Sequence, residues 1–534
     1  MNRLRTTAVG ALGVALLAAC GGGAGASSSS TPQANTSATL TVAWAEQLAT
    51  LNPATTGMRD VGPIDTNIFD TLVWLDKNDK ATPDLATKWT VSPDGLKYDF
   101  DLRSGVKFHD GTPFDAKAVV ANIDYITNAN TASATSLTLL GPCTKAVELA
   151  QYKVELQCTK PYGPLLVQLG EPYLGIQSPT AITKYGKDLG SHPTGTGPFM
   201  FESYVPNQKL VLARNPDYQW APPAVGQNGP AKIAKLVFDI VTDAQARVSE
   251  YQSGQAQFMQ ETPGDFFNKL GSDPANQAVA FPISGMGVFL PIDASAFPTN
   301  DVAVRQALLY SVDKTKVIKA TDDGAYTVLN TPLAGSLVGY DKSIGDMYSY
   351  NPAKAASLLT GAGWAKSNGT WMKGGKKLTI RLTAPSDVSG YPVMVQAIQA
   401  QLKDAGMDAV VDLQSTNAWL DDASKTGSTV TMTPSQYVAV DPDALSVWFL
   451  PNQYLNWSHY VNPELTALLM QGRAQQSVAD RTATYKKAQQ LLMQQAVMLP
   501  LHENSDLVVM SSKLKGVSYA GGGFEYFYPA SLEG

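Results

Sequence analysis

Several residue types are scarce in this chain of 534 residues, and each shortage excludes a class of function. The chain contains only four histidines and three cysteines, with no histidines at metal-ligand spacing and no Cys-x-x-Cys pair. The common zinc sites and dithiol redox sites are therefore not expected. Lys and Arg number 40 against 46 Asp and Glu, a net charge of −6, and no long basic run is present. Because nucleic-acid binders carry basic stripes or patches, we do not expect the chain to bind nucleic acid.

Catalytic signatures are missing as well. The sequence has no Gly-x-Ser-x-Gly elbow, no Walker motif and no dinucleotide fingerprint. Its four histidines are not placed as a general base beside a nucleophile. We therefore expect no enzymatic activity, and we assign no catalytic residue, no metal ligand and no cofactor.

Long apolar runs are absent except near the start of the chain, from Ala8 to Ala19. Arg3 and Arg5 precede this run, which is too short for a stable membrane span but typical of a signal peptide. It is followed directly by Cys20, and small residues before a cysteine resemble the lipobox of bacterial lipoproteins. We expect residues 1–19 to be a signal peptide and Cys20 to carry lipid. An ordinary cleaved signal with a chance cysteine is the alternative.

The next segment, residues 20–38, is rich in Gly, Ser and Thr and has no large apolar side chain. Such a composition cannot form a core, so we expect a flexible linker after the lipidated cysteine.

The two remaining cysteines, Cys143 and Cys158, flank two alternating runs with a turn near Ala150. This pattern predicts an antiparallel hairpin that places the cysteines opposite each other. Outside the cytoplasm such a pair is expected to form a disulfide, which would stabilise the fold by about 3 kcal/mol. Two buried free thiols are the alternative.

The rest of the chain alternates strand and helix patterns in two blocks, about 40–290 and 290–500. Thr39–Trp44 is predicted to be a strand, and residues 378–413 form a strand–helix–strand unit. Residues 302–320 are predicted to form one long amphipathic helix. These patterns indicate an α/β fold with two lobes.

The most informative segment runs from Pro83 to Tyr125 and reads PDLATKWTVSPDGLKYDFDLRSGVKFHDGTPFDAKAVVANIDY. Asp94-Gly95 and Asp110-Gly111 are turn signals, and Asp115 fits the N-cap of a helix. The segment closely resembles the signature of the bacterial extracellular solute-binding proteins, family 5, the oligopeptide, dipeptide and nickel type that serves ATP-driven (ABC) importers. The resemblance extends over essentially all of residues 40–515.

The resemblance implies a periplasmic-binding-protein type II fold, in which two lobes enclose a ligand cleft and lobe I carries an extra α/β domain. The implied boundaries are lobe I, 39–62, 190–288 and 502–534; the extra domain, 63–189; and lobe II, 289–501.

The resemblance also implies the function. We expect an extracytoplasmic substrate-binding lipoprotein that captures a peptide-like or other small organic solute by lobe closure. It would deliver this solute to ABC permease subunits and their ATPase, as a monomer anchored to the bacterial cell membrane through lipidated Cys20. One alternative is a non-peptide solute such as a sugar, an opine-like compound or a nickel complex. Another is a sensory lipoprotein that works without a transporter.

Two departures from the family pattern affect the ligand. In peptide-binding members an Asp just before the Asp-Pro stretch meets the ligand's α-amine, and the position that aligns with it here is Val438. The loop after the strand at 378–382 also lacks the Arg that some dipeptide binders use. Both departures leave room for a neutral or differently charged solute. The candidate ligand contacts, chosen as aromatic or acidic residues near the expected cleft, are Trp44, Glu46, Asp387, Tyr391, Tyr437 and Trp457.

Overall fold

The computed structural model describes residues 36–57, 59–426 and 429–533. The predicted signal peptide and Cys20 lie outside the described residues, as does most of the linker. Within the described ranges, no helix combines the length and the apolar character that a bilayer span requires. The names lobe I, extra domain and lobe II are kept below for the residue ranges predicted from the sequence.

Strands and helices alternate along the chain. The strands in chain order are β1 Thr39–Trp44, β2 Val73–Leu75, β3 Ala81–Pro83, β4 Ala86–Val91, β5 Lys97–Leu102, β6 Lys145–Ala150, β7 Lys153–Gln157, β8 Phe199–Val205, β9 Lys209–Arg214, β10 Lys235–Ile240, β11 Phe258–Met259, β12 Asn276–Pro291, β13 Ala365–Ser367, β14 Thr370–Lys373, β15 Lys376–Lys377, β16 Thr379–Pro385, β17 Asp408–Gln414, β18 Ser435–Val438, β19 Met498–Ser511, β20 Leu514–Lys515, β21 Ser518–Ala520, β22 Phe524–Tyr526 and β23 Ser531–Leu532.

The α-helices are α1 Gly62–Ile68, α2 Ala116–Thr127, α3 Ala134–Leu140, α4 Leu165–Gln168, α5 Pro179–Tyr185, α6 Ala244–Gln252, α7 Gly264–Gly271, α8 Val302–Ser311, α9 Lys314–Asp322, α10 Pro352–Gly361, α11 Tyr391–Asp404, α12 Thr416–Ser424, α13 Ala444–Phe449, α14 Pro463–Ala474 and α15 Val478–Gln494.

The largest sheet of the described residues has eight strands in the order β18-β12-β19-β11-β1-β10-β9-β8. β1 is parallel to both of its neighbours, β10 and β11, whereas β12 is antiparallel to β18 and β19. Leu40, Val42 and Trp44 alternate along β1 on one face and are fully buried, which explains why this strand forms here. The long strands β12 and β19 pair along most of their length and carry the chain between the two lobes.

Buried apolar side chains form two large cores. The first combines residues between Leu40 and Phe258 with residues between Val508 and Ala530, so the extra domain and lobe I share it. The second lies between Met286 and Leu501, which is lobe II together with the last residues of the preceding lobe I segment. The extra domain adds its own four-stranded sheet, in the order β4-β5-β7-β6. The chain therefore has the two-lobed α/β architecture that the sequence predicted.

Several local predictions are confirmed. Asp94-Gly95 forms the turn between β4 and β5, and Asp115 caps α2 by accepting the N–H groups of Lys117 and Ala118. β16, α11 and β17 form a strand–helix–strand unit with parallel strands. The hairpin β6–β7 brings Cys143 and Cys158 together in a disulfide.

The prediction of one long helix over residues 302–320 is wrong. The structure has two helices, α8 and α9, because Val312 adopts an extended conformation with φ −106° and ψ 115°. Asp313 then begins α9 by accepting the N–H of Lys316. Aspartate is a preferred N-cap, so Asp313 was the signal for a helix start inside an apolar periodicity that continues across the break.

Candidate functional site

Lobe II contacts both lobe I and the extra domain across the interlobe cleft, the space between them. Ser284 Oγ of lobe I lies 2.9 Å from Ser336 Oγ of lobe II. Tyr98 Oη of the extra domain donates to Gln476 Oε1 of lobe II at 2.8 Å. These two hydrogen bonds join residue ranges that the sequence assigned to different lobes.

The carboxyl ends of β1 and β11 meet at one edge of the eight-stranded sheet. Gln260, directly after β11, accepts the N–H of Ala45, directly after β1, at 3.3 Å. Trp44 at this edge is fully buried, and its Nε1 has no hydrogen-bond partner. Glu46 is half-buried and faces Arg247. Because ligands of open α/β sheets bind outside the carboxyl ends of parallel strands, this edge is a candidate binding surface.

Four polar side chains of lobe I form a buried group beside this edge, termed the Glu525 cluster: Arg59, Asp506, Tyr519 and Glu525. Asp506 lies on β19 and accepts the N–H of Glu261, just after β11, at 3.3 Å. Tyr519 and Glu525 stand opposite each other in the β21–β22 hairpin. The hairpin therefore adds two polar side chains to the strand edge.

Local packing positions the members of the cluster. The Tyr519 ring stacks on the Phe281 ring with their centroids 3.5 Å apart. Arg59 Nη2 donates to the carbonyl of Gly523 at 2.7 Å. Gly522 and Gly523 have positive φ angles of 76° and 78°, a conformation that suits glycine and lets this turn present its carbonyl groups to Arg59.

The cluster contains several buried polar atoms without a donor or acceptor. Glu525 is fully buried, and neither of its carboxyl oxygens accepts a hydrogen bond from a basic, amide or hydroxyl side chain. Asp506 Oδ2, Tyr519 Oη and Arg59 Nε are also buried and unpartnered. Because buried polar groups in proteins almost always have partners, so many unpaired atoms in one place mark a candidate binding group.

The carboxyl groups of Glu525 and Asp506 face each other. Burial raises the pKa of Glu525 well above its usual range, and the negative charge of Asp506 raises this pKa further, whereas Arg59 opposes the shift. Two carboxylates at such close range repel, so the pair is stable when one proton is shared between them. The phenol pKa of Tyr519 is also raised, by burial and then by the charges of Glu525 and Asp506.

Two further carboxyl groups lie where the extra domain meets the lobes. Asp79 accepts hydrogen bonds from the Ser284 hydroxyl and, at 2.8 Å, from the N–H of Gly522. Burial raises the pKa of Asp79 to about 6. Burial and the charge of Asp79 raise the pKa of Glu171 to about 8, whereas Arg59 opposes the shift. Arg59 therefore acts electrostatically on both Glu525 and Glu171.

Lobe II contributes two tyrosines to this region. Tyr326 stacks on the His502 ring with the centroids 4.6 Å apart, and its phenol faces the charges of Asp506 and Glu261. Tyr437 on β18 is half-buried, and its pKa is raised to about 12 by burial, followed by the charges of Asp443 and Glu171. The polar groups of lobe I and the extra domain are therefore at the cleft.

The carboxylates that follow β18 in lobe II are already paired. Arg481 forms a bidentate ion pair with Asp441, with Nη1 to Oδ2 at 2.8 Å and Nη2 to Oδ1 at 2.6 Å. Arg473 Nε donates to both oxygens of Asp443, at 3.1 and 2.9 Å. Val438, at the position where peptide binders carry an acidic residue, ends β18 and has no charge.

The other sequence candidates occupy different surroundings. Trp457 lies in the lobe II core, where its ring contacts those of Trp419 and Trp448 at 5.2 and 5.3 Å. Asp387 is exposed and accepts a hydrogen bond from Thr416 at 2.6 Å. Tyr391 is buried at the start of α11, and burial raises its pKa. Within the described part of the chain, Trp44 and Glu46 thus lie at or just after the carboxyl end of β1 and Tyr437 lies on β18, whereas Trp457 packs among aromatics.

No member of the Glu525 cluster is among the six candidate ligand contacts predicted from the sequence. Glu525 stands between two aromatic residues after a triple glycine, and a charged residue in such an apolar strand was the one available signal. Asp506 ends a polar stretch, residues 502–506, in the middle of β19, so it gave no comparable signal.

The structure also bears on metal binding. Among the described residues, no three His, Cys, Asp or Glu side chains are grouped so that they could hold a metal ion. His459 Nδ1 lies 3.4 Å from Asp293 Oδ1 in lobe II, which forms a pair rather than a larger ligand set.

Comparison with known proteins agrees with the family resemblance found in the sequence. The family model described as bacterial extracellular solute-binding proteins, family 5 Middle, matches residues 80–456. The glutathione-binding protein GsiB of Shigella flexneri is 28% identical over 488 residues, which cover 89% of this chain and 91% of that protein. GsiB of Salmonella typhi is similar to the same extent.

Solved structures share the fold. NikA from Brucella suis, in complex with Fe(III)-EDTA, aligns with a TM-score of 0.81 at 24% identity, covering 93% of this chain and 100% of that one. DppA from Helicobacter pylori, in complex with the peptide STSA, aligns with a TM-score of 0.75 at 24% identity, covering 93% and 98% of the two chains.

Proposed function

Since this chain belongs to the bacterial extracellular solute-binding proteins, family 5, we propose that it is the substrate-binding subunit of an ABC importer for a peptide-like solute. It binds the solute between its lobes and presents the closed form to the permease, without catalysing a reaction. The family match over residues 80–456 is the observation that carries this proposal.

Lobe closure follows from the way the chain passes between the lobes. β12 and β19 are the two long strands that run from the first core into the second. A pair of connecting strands can act as a hinge while each core moves as a rigid body. A solute that contacts both lobes favours the closed state because it binds that state better. The contacts Ser284–Ser336 and Tyr98–Gln476 are examples of what closure forms.

A peptide-like solute agrees with two features of the cleft. β18 is the edge strand of the eight-stranded sheet, and edge strands can bind an extended peptide through backbone hydrogen bonds. The Glu525 cluster offers buried polar atoms that a zwitterionic ligand can satisfy. GsiB is named for glutathione, and the DppA structure contains a peptide. A neutral solute such as a sugar would not use the charged cluster.

The proposal includes how the protein is held at the membrane. Lipid on Cys20 anchors the mature chain outside the cytoplasm, and residues 21–38 let the folded lobes reach the permease. The folded part acts as a monomer, since one chain contains both lobes of the cleft. The sensory alternative requires the same lobes but no transporter.

A thermal-shift screen of residues 21–534 tests the ligand class. The panel contains glutathione, di- to pentapeptides, mono- to trisaccharides, opine-like compounds and nickel complexes. A ligand at ~100 times its Kd stabilises the folded state by about 2.7 kcal/mol. We expect peptides to raise the melting temperature. If only sugars or nickel complexes raise it, the peptide assignment is wrong.

A further inference from the structure

The geometry points to the Glu525–Asp506 pair as the site in lobe I that binds the ammonium group of the solute, and this ammonium group replaces a proton that the pair holds in the unliganded protein. The inference rests on the proposed function and specifies which end of a peptide-like solute enters lobe I.

Lobe II offers no free carboxylate near β18 for this role. Val438 is uncharged, Asp441 is held by Arg481, and Asp443 is held by Arg473. An ammonium group bound there would have to break an existing ion pair. The Glu525–Asp506 pair is different, because its carboxyl oxygens include three buried atoms that accept no hydrogen bond from a basic, amide or hydroxyl side chain.

The pair is also linked electrostatically to groups of lobe II and the extra domain. Tyr326 of lobe II faces Asp506, and Arg59, which faces Glu525, also faces Glu171 next to Tyr437. Tyr519 stands opposite Glu525 in the β21–β22 hairpin, and its buried phenol oxygen has no partner of its own. A primary ammonium group has three donors, which matches two carboxylates and one phenol oxygen.

Charge balance favours an exchange of one cation for another. In the unliganded protein, the proton-sharing pair carries one negative charge, which Arg59 offsets. When the ammonium group binds, the shared proton leaves to the solvent and both carboxylates become ionised. Arg59 and the ammonium group then offset two negative charges, so the buried site stays neutral in both states. No covalent bond forms or breaks apart from this proton transfer.

Other charged groups surround the pair and contribute to the net charge of the site. Asp65 on α1, which packs against β22, is fully buried and has no partner, and burial raises its pKa well above the usual range. Glu261 and Arg247 face Asp506 from the strand edge, and Arg247 also faces Glu46. On the lobe II side, the phenol of Tyr326 is the facing group.

Isothermal titration calorimetry of the wild-type chain gives the first test. Glutathione and trialanine are titrated alongside their N-acetyl forms, which lack the ammonium group, in phosphate and in Tris at pH 7. We expect each free peptide to bind at least tenfold more tightly than its acetylated form and to release up to one proton. Its affinity should rise up to tenfold per pH unit while the pair is protonated, until the α-amine itself loses its proton near pH ~8.

Variants assign the effect to the pair. Glu525→Gln keeps the size of the side chain and should bring the affinities of free and acetylated peptides within about threefold and abolish proton release. Asp84→Asn, at another fully buried acidic residue, which lies near Arg103 in the extra domain, should leave both measurements unchanged. Tyr519→Phe should weaken the preference for the free amine without changing the number of protons released.

The outcomes separate the two proposals. Equal binding of free and acetylated peptides by the wild-type chain overturns the ammonium site but leaves peptide binding in place. Binding of the free peptide without proton release overturns the exchange, as does an unchanged amine preference in Glu525→Gln. If no peptide binds the wild-type chain, the proposed peptide function fails and the ammonium site fails with it.

Discussion

At the scale of single residues, a buried carboxyl group stabilises the fold when a basic side chain is paired with it. A buried carboxyl group without such a pair is available to a ligand. Asp441 and Arg481 are both almost fully buried and form a bidentate pair, so each satisfies the other. Glu525 is equally buried but forms no bidentate ion pair, and the second carboxyl group of Asp506 lies beside it. The first arrangement is a structural ion pair, and the second is a candidate binding group.

The buried ion pair leads to a stability prediction. Replacing Asp441 by Asn leaves the Arg481 charge uncompensated in the lobe II core, so the free energy of unfolding should fall by about 3–5 kcal/mol. Urea unfolding measures this change. Asp421→Asn is the matched control, because the Asp421–Lys425 pair is exposed and exposed pairs contribute about 0–1 kcal/mol. Equal losses in the two variants would contradict the structural role of the buried pair.

At the scale of secondary-structure elements, short-range patterns predicted most of what formed. The alternation in β1, the turn at Asp94-Gly95 and the N-cap at Asp115 depend on neighbours within a few residues, and the structure has each of them. The helix over residues 302–320 was predicted wrongly because its apolar periodicity continues through the break at Val312. The N-cap residue Asp313 starts a new helix after this break, although the apolar pattern continues across it.

The β6–β7 hairpin leads to a second stability prediction. The disulfide between Cys143 and Cys158 closes a loop with a sequence separation of 15, which in the loop-entropy model corresponds to about 3 kcal/mol. Replacing both cysteines by alanine should lower the free energy of unfolding of the oxidised protein by that amount. A reducing agent should destabilise the wild-type chain but leave the double variant unchanged. Identical unfolding of the wild type with and without reductant would show that the thiols are free.

At the scale of the whole molecule, the two cores meet along a boundary that contains more acidic than basic groups. Asp79 and Glu171 belong to the extra domain, yet Asp79 bonds Ser284 and Gly522 of lobe I, and Glu171 faces Tyr437 of lobe II. Because their pKa values are raised by burial, these carboxyl groups bind protons more tightly in the folded protein than in the unfolded chain.

This difference in proton binding sets a pH dependence. For Glu171 the folded pKa is about 8, against an ordinary value of 4.5, so its contribution to stability is present in full below pH 4.5 and is lost as the pH rises toward 8. Glu171→Gln should remove this dependence, which amounts to at most about 1.4 kcal/mol per pH unit. Chemical unfolding of both proteins between pH 5 and 8 measures it. Parallel curves for the two proteins would mean that Glu171 is ionised in the fold.

The sequence by itself determined the family, the two-lobed α/β fold and the local elements, because these depend on apolar periodicity, turn residues and a long signature motif. It also predicted Trp44, Glu46 and Tyr437 as ligand contacts, which stay predictions. Only the tertiary structure decided that Arg59, Asp506 and Glu525 meet, since they are far apart in the chain and no local pattern links them. Burial and charge pairing arise from packing, and they separate the acidic residues held in ion pairs from those left for a ligand.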